Sequence, residues 1–546
     1  LNSYTLTGEG DHTIVNNGTL TVIDSSAAKS GAVDNITHGR GALVNNGTAT
    51  LNDGTFKRSA EAGVSATNNG GNSWYVIDNH GTLTINDGVA VYHGASAEMA
   101  AQWKYSSLIR NIGTSAEATA TLTVNGGEFN TGLIALKNDD FGMLEVNGGK
   151  ISSGNQAVQN WYKATVDGGT FDGRVITWFY SDNTGAADMT INNGTFSGQD
   201  KSVDFEAGAD GVYPLVSDGT TISGGTFDAL PLKAEYLASD VALDVVDDAY
   251  SVVRGQAAAN AVIDGVTYPF VDENDIIEQG TFAAQIGNTF FETLAEAVLS
   301  TGTGAVDATE ITIIGEGNVV NGAGVVIEGQ NVIIDLNGKT YNVINPTVGS
   351  PGTETNAFQM KKGSTVVFRN GSIASDVAKI LLQNYCDLTL ENVTINATGS
   401  TSIQYIASNN NGSFTAVGNT QLIAGAGQVA FDVYYNLGGS YPDGVTVTFG
   451  EDFTGKVVGA VEYGYDVATD NWQDKTVLNI SGGKFDITIS PSGTTAQDAN
   501  INISGGDFTQ AFDGAYLASD AVLYPTADGA FAVADQATAE QETIGV

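Results

Sequence analysis

Cysteine, proline, histidine and basic residues are all scarce in this 546-residue chain, and each shortage excludes something. The one cysteine, Cys386, rules out a disulfide framework and any zinc site built on paired cysteines. It sits in the apolar run ILLQNYCDLTL, where a thiol behaves as a small buried hydrophobe. The four histidines, His12, His38, His80 and His93, fall within the first hundred residues at no metal-ligand spacing. Lysine and arginine number 21 against 62 acidic residues, a formal charge of −41. Such a field repels phosphate backbones and anionic lipid headgroups, so neither a nucleic-acid partner nor membrane insertion is expected. No signal peptide, transmembrane run or lipidation motif is visible. The chain opens directly in strand pattern, LNSYTLTGEG, so a mature or trimmed fragment is expected.

What is abundant is glycine, with 69 residues against only eight prolines. A hydrophobic content of 42% is too high for disorder, so the glycines punctuate a folded, turn-rich β protein. They recur in a phrase: a short alternating run, a polar Asn, Asp or Ser, one or two glycines, a variable residue, then usually Phe. It reads LTVNGGEF at Phe129, LEVNGGKI at Ile151, ATVDGGTF at Phe171 and MTINNGTF at Phe196. It returns as TISGGTF at Phe227, LNISGGKF at Phe485 and INISGGDF at Phe508. Successive copies lie 22, 20 and 25 residues apart from Phe129 to Phe196, and 23 apart from Phe485 to Phe508. Residues 1 to about 100 carry a longer variant, NNGTLTVID, NNGTATLNDGTF and NHGTLTINDG.

A unit of this length holds one β-type stretch and no helix, so it cannot bury its apolar face alone. Stacking on the next copy solves this, with Val and Phe in interior columns and Asn in side-chain ladders at the turns. The expected fold is therefore all-β, two tandem right-handed parallel β-helix (solenoid) modules. The phrase YLASD occurs at Tyr236 and at Tyr516, each time followed by a strand, a turn and another strand. Each is expected to be a β-hairpin that covers an open end. This places the first module at 1–255, an acidic linker at 256–282 and the second module at 283–546. NTFFETLAEAVLSTGTG reads as a short helix at about 289–300, capped by Asn288 or Thr289 and covering the first turn of the second module.

The order IGNTFFETLAEAV, VIIDLNGKTY, ISGGxF and YLASD resembles the large β-helical surface proteins of Gram-positive gut bacteria, whose modules look like pectin lyases in fold. The resemblance covers residues 221–253 and 283–533. It implies a surface or adhesive role and supplies no catalytic residues.

Catalytic chemistry finds little support in the residues. Asp139-Asp140, Asp247-Asp248 and Asp272-Glu273-Asp275 are the candidate carboxylates, and each reads first as a turn or a solvated charge run. THGRG at 37–41 lacks the paired Asp of a hydrolase motif, and the calcium nonapeptide GGxGxD is absent. No cofactor is called for, and so acidic a chain gathers Ca²⁺ only diffusely. The candidate ligand-binding residues are the aromatic clusters Trp74-Tyr75, Trp103 with Tyr105, Trp161-Tyr162 and Trp178 with Tyr180. Such rings stack on sugar faces, and they pack equally well beneath loops. The expected protein is a non-enzymatic secreted or surface-displayed adhesin or structural spacer, with a glycan or a host or bacterial surface protein as its partner. A phage virion fibre, decoration or tail protein is the first alternative, and a polysaccharide lyase or hydrolase the second.

Overall fold

The computed structural model describes residues 1–37, 39–58, 75–93, 107–130, 132, 134–178, 187–198, 216–230, 233–279, 282–349, 354–436, 444–465 and 472–544. The chain is all-β with a few short helices. It divides into two compact units, Leu1–Asn260 with Val266–Gln279, and Ala261–Gly265 with Gly280–Val546.

In the first unit, strands pair in parallel and in register with strands one repeat further along, in three series. One series carries the phrase's aromatic position: Val33 pairs with Phe56, Phe56 with Val91 and Val91 with Phe129. Phe129 then pairs with Ile151, Ile151 with Phe171, Phe171 with Phe196 and Phe196 with Phe227. All of these side chains are buried, and the last three rings stack with centroids 4.8 and 4.7 Å apart. The second series aligns Ile14, Leu43, Ile77, Ile109, Leu136, Val158 and Val175. The third aligns Val22, Leu51, Ile85, Val124, Val146, Val166, Ile191 and Ile222. Alternation along each strand sends one set of residues to a common core, where each meets its counterpart from the neighbouring repeat.

The glycines of the NNGT phrase sit where backbones close on one another. A Cβ on Gly47 would lie 2.2 Å from the Gly18 carbonyl oxygen, and one on Gly81 would lie 2.1 Å from that of Gly47. No side chain fits there.

The parallel series of the first unit ends in a hairpin. Val241–Val246 and Ala249–Arg254 pair antiparallel about Asp247 and Asp248, whose φ values of 51° and 63° make the tight turn. The second of these strands pairs antiparallel with Gly225–Phe227. Tyr236, from YLASD, is buried with its hydroxyl donating to Asp218 at 2.8 Å, and Leu237 bridges to Ile222.

The second unit repeats the scheme with its own columns. Ile311, Ile334, Phe368, Leu390, Ala416, Phe449, Ile480 and Ile503 align in parallel. Ile395, Leu422, Val457, Phe485 and Phe508 form another column. Its end matches that of the first unit: Leu517 bridges to Ile503, and the hairpin Ala521–Pro525 with Phe531–Asp535 pairs antiparallel with Gly506–Phe508.

Two expectations need correcting. The helix spans Leu294–Ser300, not 289–300, because Thr289–Phe291 forms an antiparallel pair with Ala284–Ile286 around Gly287. The cap is Thr293, not Asn288 or Thr289: its side chain accepts from the Glu296 N–H while the Glu296 carboxylate accepts from the Thr293 N–H. T-x-x-E is a capping box, and it outcompetes caps that would drag Phe290 and Phe291 out of a strand. Residues 256–282, read as a linker, carry the strands Ala259–Ile263 and Val266–Phe270 and the helix Glu273–Gln279. Asp264-Gly265 between the strands is a turn signal flanked by alternating apolar residues, and Ala261, Phe270 and Ile276 are fully buried.

Candidate functional site

Six of the seven strands of the second series in the first unit end in an asparagine that points inward; the last, Thr170–Thr177, ends in a threonine. Asn45, Asn79, Asn111, Asn138 and Asn160 are fully buried. They form a ladder in which each amide nitrogen donates to the next side-chain oxygen, at 2.7, 2.7, 2.8 and 2.8 Å along the series. Asn16 begins it, donating to Asn45 at 2.7 Å. The ladder pins the register of these strands, and with it the register of the residues just before each asparagine, which face the other way. Asp78, Arg110, Lys137 and Gln159 therefore lie side by side on one face.

Two of the aromatic residues singled out in the sequence belong to this face. The Arg110 guanidinium donates to both Asp78 oxygens at 2.8 and 2.7 Å and lies 4.7 Å from the centre of the Tyr75 ring. Lys137 is 3.0 Å from Asp139 and 4.8 Å from the Trp161 ring. The Trp161 indole N–H donates to Gln159 at 2.8 Å, and Gln159 in turn donates to Gln156 at 2.8 Å. Burial pushes the Asp78 carboxyl up, but hydrogen bonds from His80 and Arg110 outweigh it and hold the group below its usual range. Burial raises the Tyr75 hydroxyl; Lys137 and Arg110 pull it down, and Asp139 and Asp78 push it up, so all four charges surround it. Tyr75 and Trp161 are each half-buried.

The other sequence candidates scatter. Tyr162 packs at 5.5 Å against Phe141 and lies 6.0 Å from Lys163, just past the ladder. Trp178 is half-buried, and its backbone N–H donates to the Asn160 carbonyl at 2.7 Å. Trp74, Trp103, Tyr105 and Tyr180 lie outside the described residues. The carboxylates fall into structural roles: Asp139 pairs with Lys137, Asp247-Asp248 make the hairpin turn, and Asp272 accepts from the Asn274 N–H at the start of a helix.

The second unit carries a matching face that the sequence reading missed. Gln359, Gln383 and Ser408 are in-register neighbours, and Asp432 pairs in register with Glu462. Gln383 accepts from Asn356 at 2.7 Å and from Gln359 at 2.9 Å, and donates to the Tyr385 hydroxyl at 3.0 Å. Ser408 donates to Asp432 at 2.9 Å, and the Tyr405 hydroxyl donates to Glu462 at 2.9 Å. Burial pushes Asp432 up to about 7, against the hydrogen bonds from Ser408 and Asn409. Beside this face, Tyr385, Asp387, Asn411 and Ser413 line a cleft of about 400 Å³. The overlooked signal is a shared phrase: AVQNWY at 157–162 and LLQNYC at 381–386 both run Gln, inward Asn, aromatic.

Chemically, each face offers fixed amides, hydroxyls and part-exposed rings, a set that hydrogen-bonds polyols and stacks on their apolar faces. Among the described residues, no group of three or more His, Cys, Asp or Glu side chains is placed to hold a metal ion, and no helix is long and apolar enough to cross a membrane. Compared with family models, with curated proteins and with solved structures, the chain has no match.

Proposed function

We propose that the chain folds as two tandem right-handed parallel β-helices and acts outside the cell as a non-enzymatic adhesin or spacer whose outward amide–aromatic faces bind glycans. The in-register parallel series support the fold, since a strand that recrosses to a parallel neighbour does so right-handedly in almost every known case. One observation carries the function: the Gln-Asn-aromatic phrase recurs in both units and leads each time to a column of amides and rings on the outer side of the Asn-bearing strands. The strong acidic field favours neutral or cationic glycans over acidic ones.

A glycan array probed with the intact protein tests this, followed by the paired substitutions Tyr75→Ala with Trp161→Ala and Gln383→Ala with Tyr405→Ala. Each pair should weaken binding by at least ~10-fold while far-UV circular dichroism stays unchanged, as loss of an aromatic anchor does in other interfaces. Binding that survives all four substitutions, or no binding at all, would leave only the spacer role.

A further inference from the structure

Besides the asparagine ladder, the first unit buries polar side chains where the phenylalanine-bearing strands hand over to the asparagine-bearing ones. Asn35 lies there, fully buried, and the preceding repeat and its own turn satisfy it: it donates to the Asp11 carbonyl at 2.7 Å and to Thr13 at 3.0 Å, and accepts from the Thr37 N–H at 2.9 Å. Arg58 is its in-register neighbour in the next repeat. The side chain is 1% exposed, and none of its three nitrogens has a hydrogen-bond partner. Burial lowers its pKa only to about 10, so at neutral pH the guanidinium remains charged.

The other orphans share this corner. Among the described residues, the only buried side-chain atoms without a partner besides those of Arg58 are the hydroxyls of Ser107 and Ser153. Ser107 opens the strand that follows the one ending at His93, which pairs with Arg58. Ser153 lies at the irregularity inside Lys150–Asn160, where the chain makes the same passage from one series to the next. The corner also shows how the protein meets this problem elsewhere: Arg174, equally buried, donates to the Asn155 side-chain oxygen at 3.0 Å through Nε. The chain has 62 acidic residues, yet among the described residues Arg58 is the one basic side chain buried with no acceptor. A charged group buried without an answering partner is among the costliest features a core can hold, whereas a fork of N–H donors in a dry pocket is a strong anion ligand.

We propose that a small inorganic anion, a halide or a tetrahedral oxyanion, binds inside this corner on the Arg58 guanidinium, with the Ser107 hydroxyl one repeat along as a neutral ligand. The anion is structural: it neutralises Arg58 and ties together the repeats on either side. This site is independent of the outer faces and stands or falls apart from the glycan reading.

The intact protein, exchanged into a zwitterionic buffer, is titrated separately with chloride and with inorganic phosphate, with isethionate at equal ionic strength as the control for general screening of the negative charge. The thermal midpoint should rise by several degrees and saturate with chloride, phosphate or both relative to isethionate, as expected for an anion bound only by the native state. Whichever anion acts identifies the class. Arg58→Met should abolish the specific rise, and Arg58→Lys, which keeps the charge and loses the fork, should weaken it. Equal responses of wild type and Arg58→Met would overturn the site. If Arg58→Met does not fold, the wild type and Arg58→Lys still decide: a wild-type response no larger with chloride or phosphate than with isethionate overturns the proposal, and a specific response reduced in Arg58→Lys supports it.

Discussion

Asn111 sits in the middle of the ladder, and its replacement tests whether that ladder holds the first unit together. Its oxygen accepts from Asn79 at 2.7 Å. Its amide nitrogen donates to the Asn138 side chain at 2.8 Å, the Met143 carbonyl at 3.1 Å and the Ala120 carbonyl at 3.3 Å. Every partner lies in the interior or at its edge, so Asn111→Ala strands buried acceptors from neighbouring repeats instead of returning them to water. A net hydrogen bond is worth ~1 kcal/mol, but a buried group left unpaired costs ~1–3 kcal/mol, and at least two are left here. The expected loss is ~3–5 kcal/mol. Asn16, at the ladder's open end, is 9% exposed and makes one link along the series where Asn111 makes two, so Asn16→Ala strands chiefly the Asn45 side-chain oxygen and should cost less, ~1–3 kcal/mol. Because a stacked array couples nearest neighbours, the damage should be local. Hydrogen exchange read by mass spectrometry should accelerate most in peptides covering 75–85, 107–124 and 134–146, and leave 283–544 unchanged. Equal costs at Asn16 and Asn111, or acceleration spread evenly over both units, would refute the ladder's role.

Phe196→Ala removes the middle ring of the Phe171–Phe196–Phe227 stack and should cost ~3–5 kcal/mol, read as faster exchange in the adjoining repeats. Asp432 gives a pH dependence. Its carboxyl sits at about 7 when folded against the ordinary 3.8, so between these values the unfolded chain has released a proton that the folded one keeps. Stability from this group is full below pH ~4, falls as pH rises and levels off above pH ~7, by at most ~4 kcal/mol. Asp432→Asn should flatten that slope in urea melts recorded from pH 4 to 8, and an unchanged slope would count against it. Phe270 and Ile276 are fully buried within the first unit, so a fragment 1–279 should melt higher than a fragment 1–255. Equal midpoints would restore the linker reading.

What could be read in the sequence was whatever repeats with a strict period. The phenylalanine column, the two YLASD endings and the asparagine ladder each follow from one residue type returning at one place in the unit. Stacking makes such a residue its own neighbour. Where a segment occurs once, competing local signals have no second copy to decide between them. NTFFETLAEA contains both a β-type triplet and a helix start. The triplet wins because Thr289–Phe291 has Ala284–Ile286 to pair with, a fact held outside the segment. Likewise the acidic residues of 256–282 surround an Asp-Gly turn between two alternating runs, and the charge pattern alone reads as a linker.

The outer faces were harder to see because outward positions in a stack need not repeat. Asp78, Arg110, Lys137 and Gln159 occupy one column, yet no two are alike, since each side chain answers its neighbours rather than a shared core. Composition therefore points to the conspicuous tryptophans, while the second face, made of glutamine, serine and tyrosine, passes as ordinary polar sequence. The inward asparagine is the usable index. Once Asn160 and Asn384 are recognised as interior, the residue before each must face outward, and the aromatic after each sits at the edge of the same column. Gln159 with Trp161, and Gln383 with Tyr385, are then equivalent positions, and in each the glutamine bonds the polar tip of the aromatic, accepting at 2.8 Å from Trp161 and donating at 3.0 Å to Tyr385. A period sets the core, and the core in turn assigns the face on which each unrepeated residue stands.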